Sequence, residues 1–486
     1  MSRRYLLGID QGTTGTKAVL FDDQLQVVDE AYEAIRVEHP RSGWVEQNPE
    51  QLIESIALTV RKVLPSDGEV IAAGLDNQGE TIVAWDRESG KALAPVIVWQ
   101  DKRSLEMVDR LEGSTRGKEI FERSRLPLDP YFSASKFSWL MENAPEVQAA
   151  HRNGSLVLGT SDVWLRYRLG ADVATDPSTA SRTQLLDLLS GRWDDRLLRA
   201  FELDPRAMPA IHATTGDLGN LSHPDWPVSI PLRASLVDQQ AALAGHGCFQ
   251  KGQVKATYGT GVFVLTNAGP EVPAIDGLLP TIAWRLGDEL TYALDGGVFT
   301  AGTMVDWLRD ELGLFGDAAQ TGALAMSVED AGGVQFLPAL AGLGAPWWRA
   351  DAAGVIAGLR SSTRKAHIVR AALEGIAQRV ADIVDRIRER FDVPSMSIDG
   401  GLTKNAFLVQ YQADLLGIPV LRPSTTEATA LGAAALAGVG AGVFGGLIEL
   451  QESLRAASSV DPGKSVDWRR RQRDSWQEFV TRQTRR

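Results

Sequence analysis

Two segments of similar pattern, one in each half of the chain, constrain the fold more than any other feature of the sequence. In the first, apolar residues 5–9 and 17–21 flank the polar turn 11–15, which is rich in glycine and threonine. In the second, the turn 259–261 (Gly-Thr-Gly) interrupts the apolar residues of 253–266. A short polar turn between two apolar runs predicts a β-hairpin. Each half is therefore expected to contain one such hairpin near its beginning.

Amphipathic stretches follow both hairpins and predict helices. Residues 49–63 carry apolar residues at helical spacing after Asn48, a residue type that caps helix N-termini. Residues 366–389 and 405–416 show the same spacing. Strands that alternate with helices are typical of α/β layers. The halves resemble each other in the order of these elements, which predicts two related α/β domains that meet near residues 242–251.

These patterns also predict the domain boundaries. The first domain covers residues 1–245 and the second covers residues 246–445. The remaining segment, 446–486, is expected to be a helical tail, with a charged helix from residue 466 to the end. At 486 residues the chain is too long for one ordinary core, so more than one domain is expected.

Composition and charge exclude several kinds of partner. The net charge of −12 and the isoelectric point near 5.2 argue against nucleic acid or an anionic membrane as the main ligand. The single cysteine, Cys248, rules out an intrachain disulfide and fits the reducing cytoplasm. Residues 428–448 carry no charge, but they are rich in alanine and glycine. This segment is predicted to be a buried helix and turn rather than a membrane span.

The first hairpin is a candidate phosphate site. Asp10 lies at the end of its first strand, directly before the turn. The backbone N–H groups and hydroxyls of this turn can face phosphate oxygens. Asp10 would lie where a metal ion that bridges the phosphates needs an oxygen ligand. The turn that contains Thr260 offers similar donors from the second half. Each turn alone is also compatible with an ordinary hairpin, but a facing pair could hold a polyphosphate from both sides.

Further glycine-rich turns suggest where a flat nucleotide base could lie. Asp399-Gly400-Gly401 follows a predicted strand, and Ala301-Gly302 follows another. Glycine at these points lets backbone approach a ligand closely, although tight turns alone would also explain them.

Asp238 is the candidate catalytic base. It follows a predicted strand and precedes a predicted helix near the domain junction. A hydroxyl that attacks a γ-phosphate needs a carboxylate to orient it and accept its proton. The same position also fits the N-cap of a helix. Polar and aromatic residues such as Glu80, Trp99, Tyr131 and Phe263 could form a polyol pocket, with core packing as the alternative for the rings.

The motifs resemble those of the FGGY family of carbohydrate kinases from about residue 5 to about residue 443. Residues 131–143 (Tyr-Phe-Ser-Ala-Ser-Lys-Phe-Ser-Trp-Leu-Met-Glu-Asn) are similar to one family signature. Residues 354–359, with His367 and Glu374 downstream, are similar to the other. The resemblance implies two actin-like (ribonuclease H-like) ATPase domains with the active site in the cleft between them. It also implies transfer of the ATP γ-phosphate, with Mg²⁺, to a small polyol or sugar, and a homo-oligomer such as a dimer or tetramer.

The resemblance further implies roles for individual residues. Asp238 matches the general base and Asp10 the metal position. Positions that contact the nucleotide are matched by Thr13, Thr14, Gly15, Lys17, Thr260, Gly302, Gly401 and Asn405. Positions that contact the acceptor are matched by Gly79, Glu80, Trp99, Tyr131, Asp238, Gln239 and Phe263.

One departure leaves the acceptor open. The motifs are most similar to those of family members that phosphorylate glycerol, but those members carry arginine where this chain has Gly79. A longer substrate, such as a four-carbon polyol or a ketopentose, could fill the space. Water or another side chain could instead replace the arginine and preserve glycerol. A catalytically silent sugar sensor and a hydrolysing ATPase on the same fold are alternatives from other classes.

Overall fold

The computed structural model describes residues 3–423, 425–454 and 456–484. In the first half, the strands are β1 (Arg3–Gln11), β2 (Gly15–Phe21), β3 (Val27–Ala34), β4 (Glu46–Gln47), β5 (Gly68–Asn77), β6 (Ile82–Asp86), β7 (Val96–Ile97), β8 (Leu156–Thr160), β9 (Ala174–Thr175), β10 (Leu186–Asp187), β11 (Arg192–Trp193), β12 (Ala210–Ile211), β13 (Asn220–Leu221) and β14 (Ile230–Val237). The helices are α1 (Pro49–Val63), α2 (Leu105–Leu111), α3 (Thr115–Ser124), α4 (Ser133–Asn143), α5 (Pro145–Asn153), α6 (Ser161–Arg168), α7 (Pro177–Ala180), α8 (Asp195–Ala200) and α9 (Asp238–Gly245).

The second half has its own set of elements. Its strands are β15 (Val254–Tyr258), β16 (Val262–Gly269), β17 (Leu279–Leu286), β18 (Glu289–Val298), β19 (Gln335–Leu337), β20 (Val355–Ala357), β21 (Met396–Asp399), β22 (Val420–Pro423) and β23 (Ala456–Val460). Its helices are α10 (Gly302–Asp310), α11 (Gln320–Met326), α12 (Lys365–Arg388), α13 (Ala406–Leu416), α14 (Ala428–Gly440), α15 (Leu447–Ser453) and α16 (Val466–Thr484). Short 3₁₀ helices lie at Pro205–Ala207 and Gly401–Lys404.

Each half is built around one twisted mixed sheet of the same central topology. The first sheet has the order β13-β14-β5-β1-β2-β3, and the second has the order β17-β18-β16-β15-β21-β22-β23. In both sheets a hairpin (β1–β2 or β15–β16) is extended by an antiparallel strand on one side and by two parallel strands on the other. This confirms the predicted pair of related α/β domains and both predicted hairpins.

Local sequence signals account for the beginning of α1. The Asn48 side chain accepts a hydrogen bond from the Glu50 N–H at 2.9 Å, and Pro49 occupies the first turn, where its missing N–H has no cost. Apolar side chains such as Leu52 and Ile56 are fully buried against the first sheet. The predicted helix 49–63 and its cap are therefore confirmed.

Helices α9 and α14 cross at very short range between the two sheets. A Cβ atom added at Gly432 would lie 1.8 Å from the Ala241 carbonyl oxygen, and one added at Gly245 would lie 1.9 Å from the Ala428 oxygen. The approach of α14 to β5 is equally close, because a Cβ at Gly74 would lie 2.0 Å from the Ala433 oxygen. Only glycine allows these backbones to touch.

Helix α14 therefore belongs in sequence to the second half but packs on the first sheet. Its alanines and leucines form a common core with β1, β5, β14 and α9. Most of its residues are buried, as the prediction of a buried helix and turn for 428–448 required. Within the described residues, no helix is long and apolar enough to cross a membrane.

A buried carboxylate makes several of the contacts that join the C-terminal helix α16 to the second half. Asp382 of α12 accepts hydrogen bonds from Arg473 at 2.8 Å, from Trp476 Nε1 at 3.1 Å and from Gln477 at 2.9 Å. Arg379 of α12 also pairs with it, at 2.8 Å. The helix predicted from residue 466 is present as α16, and its last two predicted residues, 485–486, lie outside the described residues. The expectation that the whole tail 446–486 is helical is wrong, because β23 pairs with β22 at the edge of the second sheet.

The glycine contact between α9 and α14 gives a stability prediction. Gly432→Ala is expected to destabilise the protein by about 3 kcal/mol, because the new methyl group meets a backbone oxygen that cannot move aside alone. Gly316→Ala is the matched control, since a Cβ there meets nothing within 4 Å. The midpoints of urea unfolding of both variants measure the difference. Equal midpoints would show that the two helices separate at little cost.

Candidate active site

Three carboxylates gather at the carboxyl ends of three neighbouring parallel strands. Asp10 of β1 is the register partner of Asp76 of β5. Leu236 of β14 is the partner of Asp76 on the other side, so Asp238, two residues later, follows on the same face. Asp10 and Asp238 were predicted as site residues, and Asp76 was not. Asp76 follows the apolar residues 70–75 of β5, and an acid at the end of such a strand could have been recognised as a site candidate.

Burial determines the charge state of this cluster. It raises the pKa of Asp238 to about 6, and the neighbouring charge of Asp10 adds to the rise. Burial also raises the pKa of Asp10 to about 6, although contact with Asp76 opposes the shift. The pKa of Asp76 lies well above its ordinary value, because this side chain is fully buried beside Asp10 and Asp238.

The alternative interpretation of Asp238 as a helix cap is wrong. Val237 is the N-cap of α9, and Asp238 is the first residue of the helix. Among the described residues, its Oδ1 atom accepts a hydrogen bond only from the adjacent Gln239 N–H, at 2.7 Å. This hydrogen bond restricts the orientation of the carboxylate. The side chain also lines a cavity.

A cavity of about 100 Å³ lies beside Asp238, between the two halves. All seven residues predicted to contact the acceptor line it, together with Thr13 of the first turn. Sequence reasoning missed the other lining residues, which are Arg182, Val237, Gln240, Leu265 and Asp295. The aromatic walls are Trp99, Tyr131 and Phe263, and none of the three is fully buried. Core packing therefore does not account for them.

Arg182 is the main feature that the sequence did not reveal. Its Nε donates to Glu80 Oε1 at 2.6 Å, and its Nη2 lies 3.1 Å from Asp295 Oδ2. Glu80 follows β5 of the first half and Asp295 lies on β18 of the second, so the guanidinium joins the halves across the cavity. Although burial opposes it, the two carboxylates raise the pKa of Arg182. Among the described residues, its Nη1 has no hydrogen-bond partner.

The space expected beside Gly79 is occupied. A Cβ atom at Gly79 would lie 2.9 Å from Cγ2 of Val237, which is a stiff β-branched side chain. The valine methyl thus fills the position where an arginine stem would begin. Of the two alternatives for Gly79, replacement of the arginine by other side chains agrees better with this contact, because Val237 takes the volume and Arg182 supplies a guanidinium at the same cavity.

The acceptor wall and the first phosphate turn are joined directly. Trp99 Nε1 donates to Thr13 Oγ1 at 2.9 Å, and the Trp99 and Tyr131 rings meet edge to face at 5.6 Å. On the other side of the cavity, the buried Lys255 donates to Gln239 Oε1 at 2.6 Å and to Thr257 Oγ1 at 3.0 Å. Lys255, also missed from the sequence, thereby holds the predicted acceptor residue Gln239.

The first predicted phosphate turn has the expected shape. The Gly12 N–H donates to the Gly15 carbonyl at 3.0 Å and closes the turn, which leaves Thr14 exposed. Lys17, on β2, pairs with Glu427 at 2.5 Å, so its charge is already partly compensated. Thr13 contacts Trp99 through its hydroxyl.

The second turn brings three of its four predicted nucleotide residues together. Thr260 is exposed at the tip of β15–β16, and the Gly302 N–H donates to the Gly259 carbonyl at 3.0 Å. Gly400, which precedes Gly401, has φ = 92° and packs against the Tyr258 backbone. The fourth residue, Asn405, lies just beyond them and caps α13, where its Oδ1 accepts from the Leu408 N–H at 3.1 Å.

The residues present fit a hard divalent cation only in part. Among residues 3–423, 425–454 and 456–484, no group of three or more His, Cys, Asp or Glu side chains is arranged to hold a metal ion alone. Asp10 and Asp76 nevertheless offer carboxylate oxygens, the donor type that Mg²⁺ accepts. Mg²⁺ is commonly bound by one or two carboxylates together with phosphate oxygens of a substrate. The arrangement fits such a shared site.

Comparisons with known proteins agree over nearly the whole chain. Residues 5–245 match the N-terminal domain, and residues 254–441 the C-terminal domain, of the FGGY family of carbohydrate kinases. The chain is 40% identical over 487 residues to a glycerol kinase of Acinetobacter baylyi, covering 98% of each sequence. It is 43% identical over 449 residues to one of Citrifermentans bemidjiense, covering 90% of this chain and 91% of that one. The structure of Plasmodium falciparum glycerol kinase with ADP superimposes with a TM-score of 0.93 at 32% identity, covering 99% and 98% of the two chains.

The pairing of Arg182 gives a second stability prediction. Arg182→Met is expected to cost about 3–5 kcal/mol, because Glu80 and Asp295 would remain buried without a cation between them. Arg206→Met is the control, since this arginine also pairs with a carboxylate but its side chain is 84% exposed. Its unfolding midpoint is expected to equal that of the wild type. A small effect for Arg182→Met would mean that the two carboxyl groups become neutral readily.

Proposed function

We infer that this chain, which belongs to the FGGY family of carbohydrate kinases, is an ATP-dependent kinase whose acceptor is glycerol. The kinase activity follows from the family. Glycerol is the acceptor named for the relatives that match the chain over nearly its full length. The reaction would convert glycerol and ATP to glycerol 3-phosphate and ADP.

The size of the cavity beside Asp238 is the observation that carries the choice of glycerol. Its volume is about 100 Å³, and a cavity of about 150 Å³ holds a molecule as large as benzene. A three-carbon polyol is of a size that such a space accommodates. Polar groups for the hydroxyls come from Glu80, Arg182 and Gln239, and the aromatic walls would contact the carbon chain.

Asp238 would act as the general base. With a pKa near 6 it is largely ionised at neutral pH, and it is basic enough to accept the proton that the attacking hydroxyl loses. The hydrogen bond from the Gln239 N–H fixes the carboxylate, so the hydroxyl is oriented before it reacts. Closure of the halves around Arg182 would exclude water, which could otherwise accept the phosphate.

The two turns would hold ATP across the cleft. Thr13, Thr14 and Gly15 would bind phosphate oxygens from the first half, and Thr260, Gly302 and Gly401 would bind the nucleotide from the second. Lys17 would have to exchange Glu427 for phosphate to contribute its charge. Asn405 would act chiefly by ordering the start of α13, because its side chain is already engaged.

Mg²⁺ is proposed to bind beside Asp10, where it would neutralise phosphate charge as the transfer proceeds. We further propose a cytoplasmic location, which the single buried cysteine supports, and a homo-oligomeric state, which size-exclusion chromatography would test.

Replacement of the base gives the first activity test. Asp238→Asn is expected to lower glycerol phosphorylation at least about a hundredfold while ADP binding is retained, because only proton acceptance is lost. Asp217→Asn, at an exposed site, is the control. Coupled ADP release with and without glycerol is the assay. Release by the wild type without glycerol would indicate a hydrolysing ATPase, and no release in either case would indicate a silent sensor.

Positions 79 and 237 are expected to be coupled. Gly79→Arg alone should lower kcat/KM for glycerol, because its Cβ meets Val237 and its charge enters the cavity that Arg182 also lines. The double change Gly79→Arg with Val237→Gly should restore activity and raise the preference for glycerol over erythritol. Val237→Gly alone is the matched control. A gain of glycerol turnover in the Gly79→Arg single variant would contradict the proposed steric coupling.

A further inference from the structure

Asp76 is a buried acid without a donor. Its side chain is fully buried, and among the described residues no N–H or O–H group donates to either of its oxygens. An ionised carboxylate in such a place is costly unless a proton or a cation accompanies it. The residue therefore requires either a proton shared with a neighbouring carboxyl group or a cation.

The surroundings of Asp76 make a protein cation an unsuitable partner. The charges that act on it come from Asp10 and Asp238, which are both acidic. Of the nearby cations, Lys17 pairs with Glu427 at 2.5 Å. Lys255 is bound to Gln239 and Thr257, and Arg182 is bound to Glu80 and Asp295.

The position of Asp76 points toward the phosphate turn. Asp10 and Asp76 are register partners on adjacent parallel strands, and their carboxyl groups are within hydrogen-bonding contact. Asp10 is partly exposed, and its Oδ1 lies 3.7 Å from the point where a Cβ of Gly12 would stand. The carboxyl pair thus lies directly behind the turn proposed to bind the ATP phosphates.

We propose that Asp76 and Asp10 together form the protein side of a divalent-cation site that phosphate oxygens of the bound nucleotide complete. Two carboxylates with phosphate oxygens and water match the coordination that Mg²⁺ usually adopts beside a nucleotide. Among the described residues, no group of three or more His, Cys, Asp or Glu side chains could hold a metal ion alone, so the proposed site needs the phosphate oxygens. This inference rests on nucleotide binding in the proposed function but is independent of glycerol as the acceptor.

A proton shared between the two carboxyl groups is the competing explanation. In that case Asp76 would serve only to neutralise Asp10, and an asparagine amide at position 76 could donate to Asp10 equally well. The two explanations make opposite statements about metal affinity. A shared proton predicts that Asp76→Asn preserves or increases it, whereas a shared metal site predicts a large loss.

The test is a titration of the full-length protein, saturated with ADP, with Mn²⁺, in which electron paramagnetic resonance measures the free ion. Asp76→Asn is expected to weaken Mn²⁺ binding about tenfold or more. Asp162→Asn is the matched control, because Asp162 is equally buried in the same half but is hydrogen-bonded by Thr160 and Thr175. Its Mn²⁺ affinity should equal that of the wild type. An unchanged or higher affinity for Asp76→Asn would overturn the proposal.

Further measurements separate this result from other failures. ADP affinity in the presence of EDTA should be the same in wild type and Asp76→Asn, so that the loss concerns the metal alone. Without metal, Asp76→Asn should unfold at a temperature no lower than the wild type, because one of two adjacent buried carboxyl groups is removed. The Mn²⁺ titration of Asp76→Thr repeats the test with another side chain. Absence of Mn²⁺ binding by the wild type beyond that of ADP alone would also overturn the proposal. Failure to phosphorylate glycerol, with the Mn²⁺ effect intact, would contradict only the assigned acceptor.

Discussion

The contact between helices α9 and α14 is the constraint on which the rest of the structure depends. At Gly245 and Gly432 the two backbones touch, and at Gly74 helix α14 meets the first sheet in the same manner. This packing places the beginning of α9 at the ends of β5 and β14, and it is Asp238 that begins the helix. A wider helix separation would move the carboxylate away from the strand ends where Asp10 and Asp76 lie. The arrangement of the three carboxylates thus depends on glycines that carry no chemistry.

Burial then gives the polar residues their properties. Of the described residues that line the cavity, Glu80, Asp238 and Asp295 are acids and Arg182 is the one cation. Because the surroundings have a low dielectric constant, an unpaired carboxylate there has a raised pKa or requires a cation. Arg182 supplies the cation for Glu80 of the first half and for Asp295 of the second half. At Asp10 and Asp76 no cationic side chain among the described residues meets the same condition, and the proposed metal ion with phosphate would meet it.

Local patterns predicted the parts of the fold that depend on neighbouring residues. The two hairpins, helix α1 with its Asn48 cap and the buried helix α14 all follow from periodicity and turn chemistry. The acceptor residues carried over from family motifs also converge on one cavity. Arg182, Val237 and Lys255 could not be found in this way, since their importance arises from contacts between segments far apart in the chain. Nothing within the local sequence of Arg182 indicates that its partners are residues 80 and 295.

The pair of Gly79 and Val237 shows how a motif read alone can mislead. A glycine in place of arginine suggests an enlarged pocket when only its own segment is considered. Val237, at the end of β14, places a methyl group 2.9 Å from the point where a Cβ of Gly79 would stand. The valine therefore occupies the volume that the arginine would have taken. The guanidinium function is likewise available from Arg182, whose Nη1 is buried at the cavity without a partner among the described residues. A buried donor in that state favours a ligand with an acceptor oxygen, because leaving it unpaired costs about 1–3 kcal/mol. A substrate hydroxyl would supply that oxygen, and a three-carbon polyol is small enough to reach it within the remaining space.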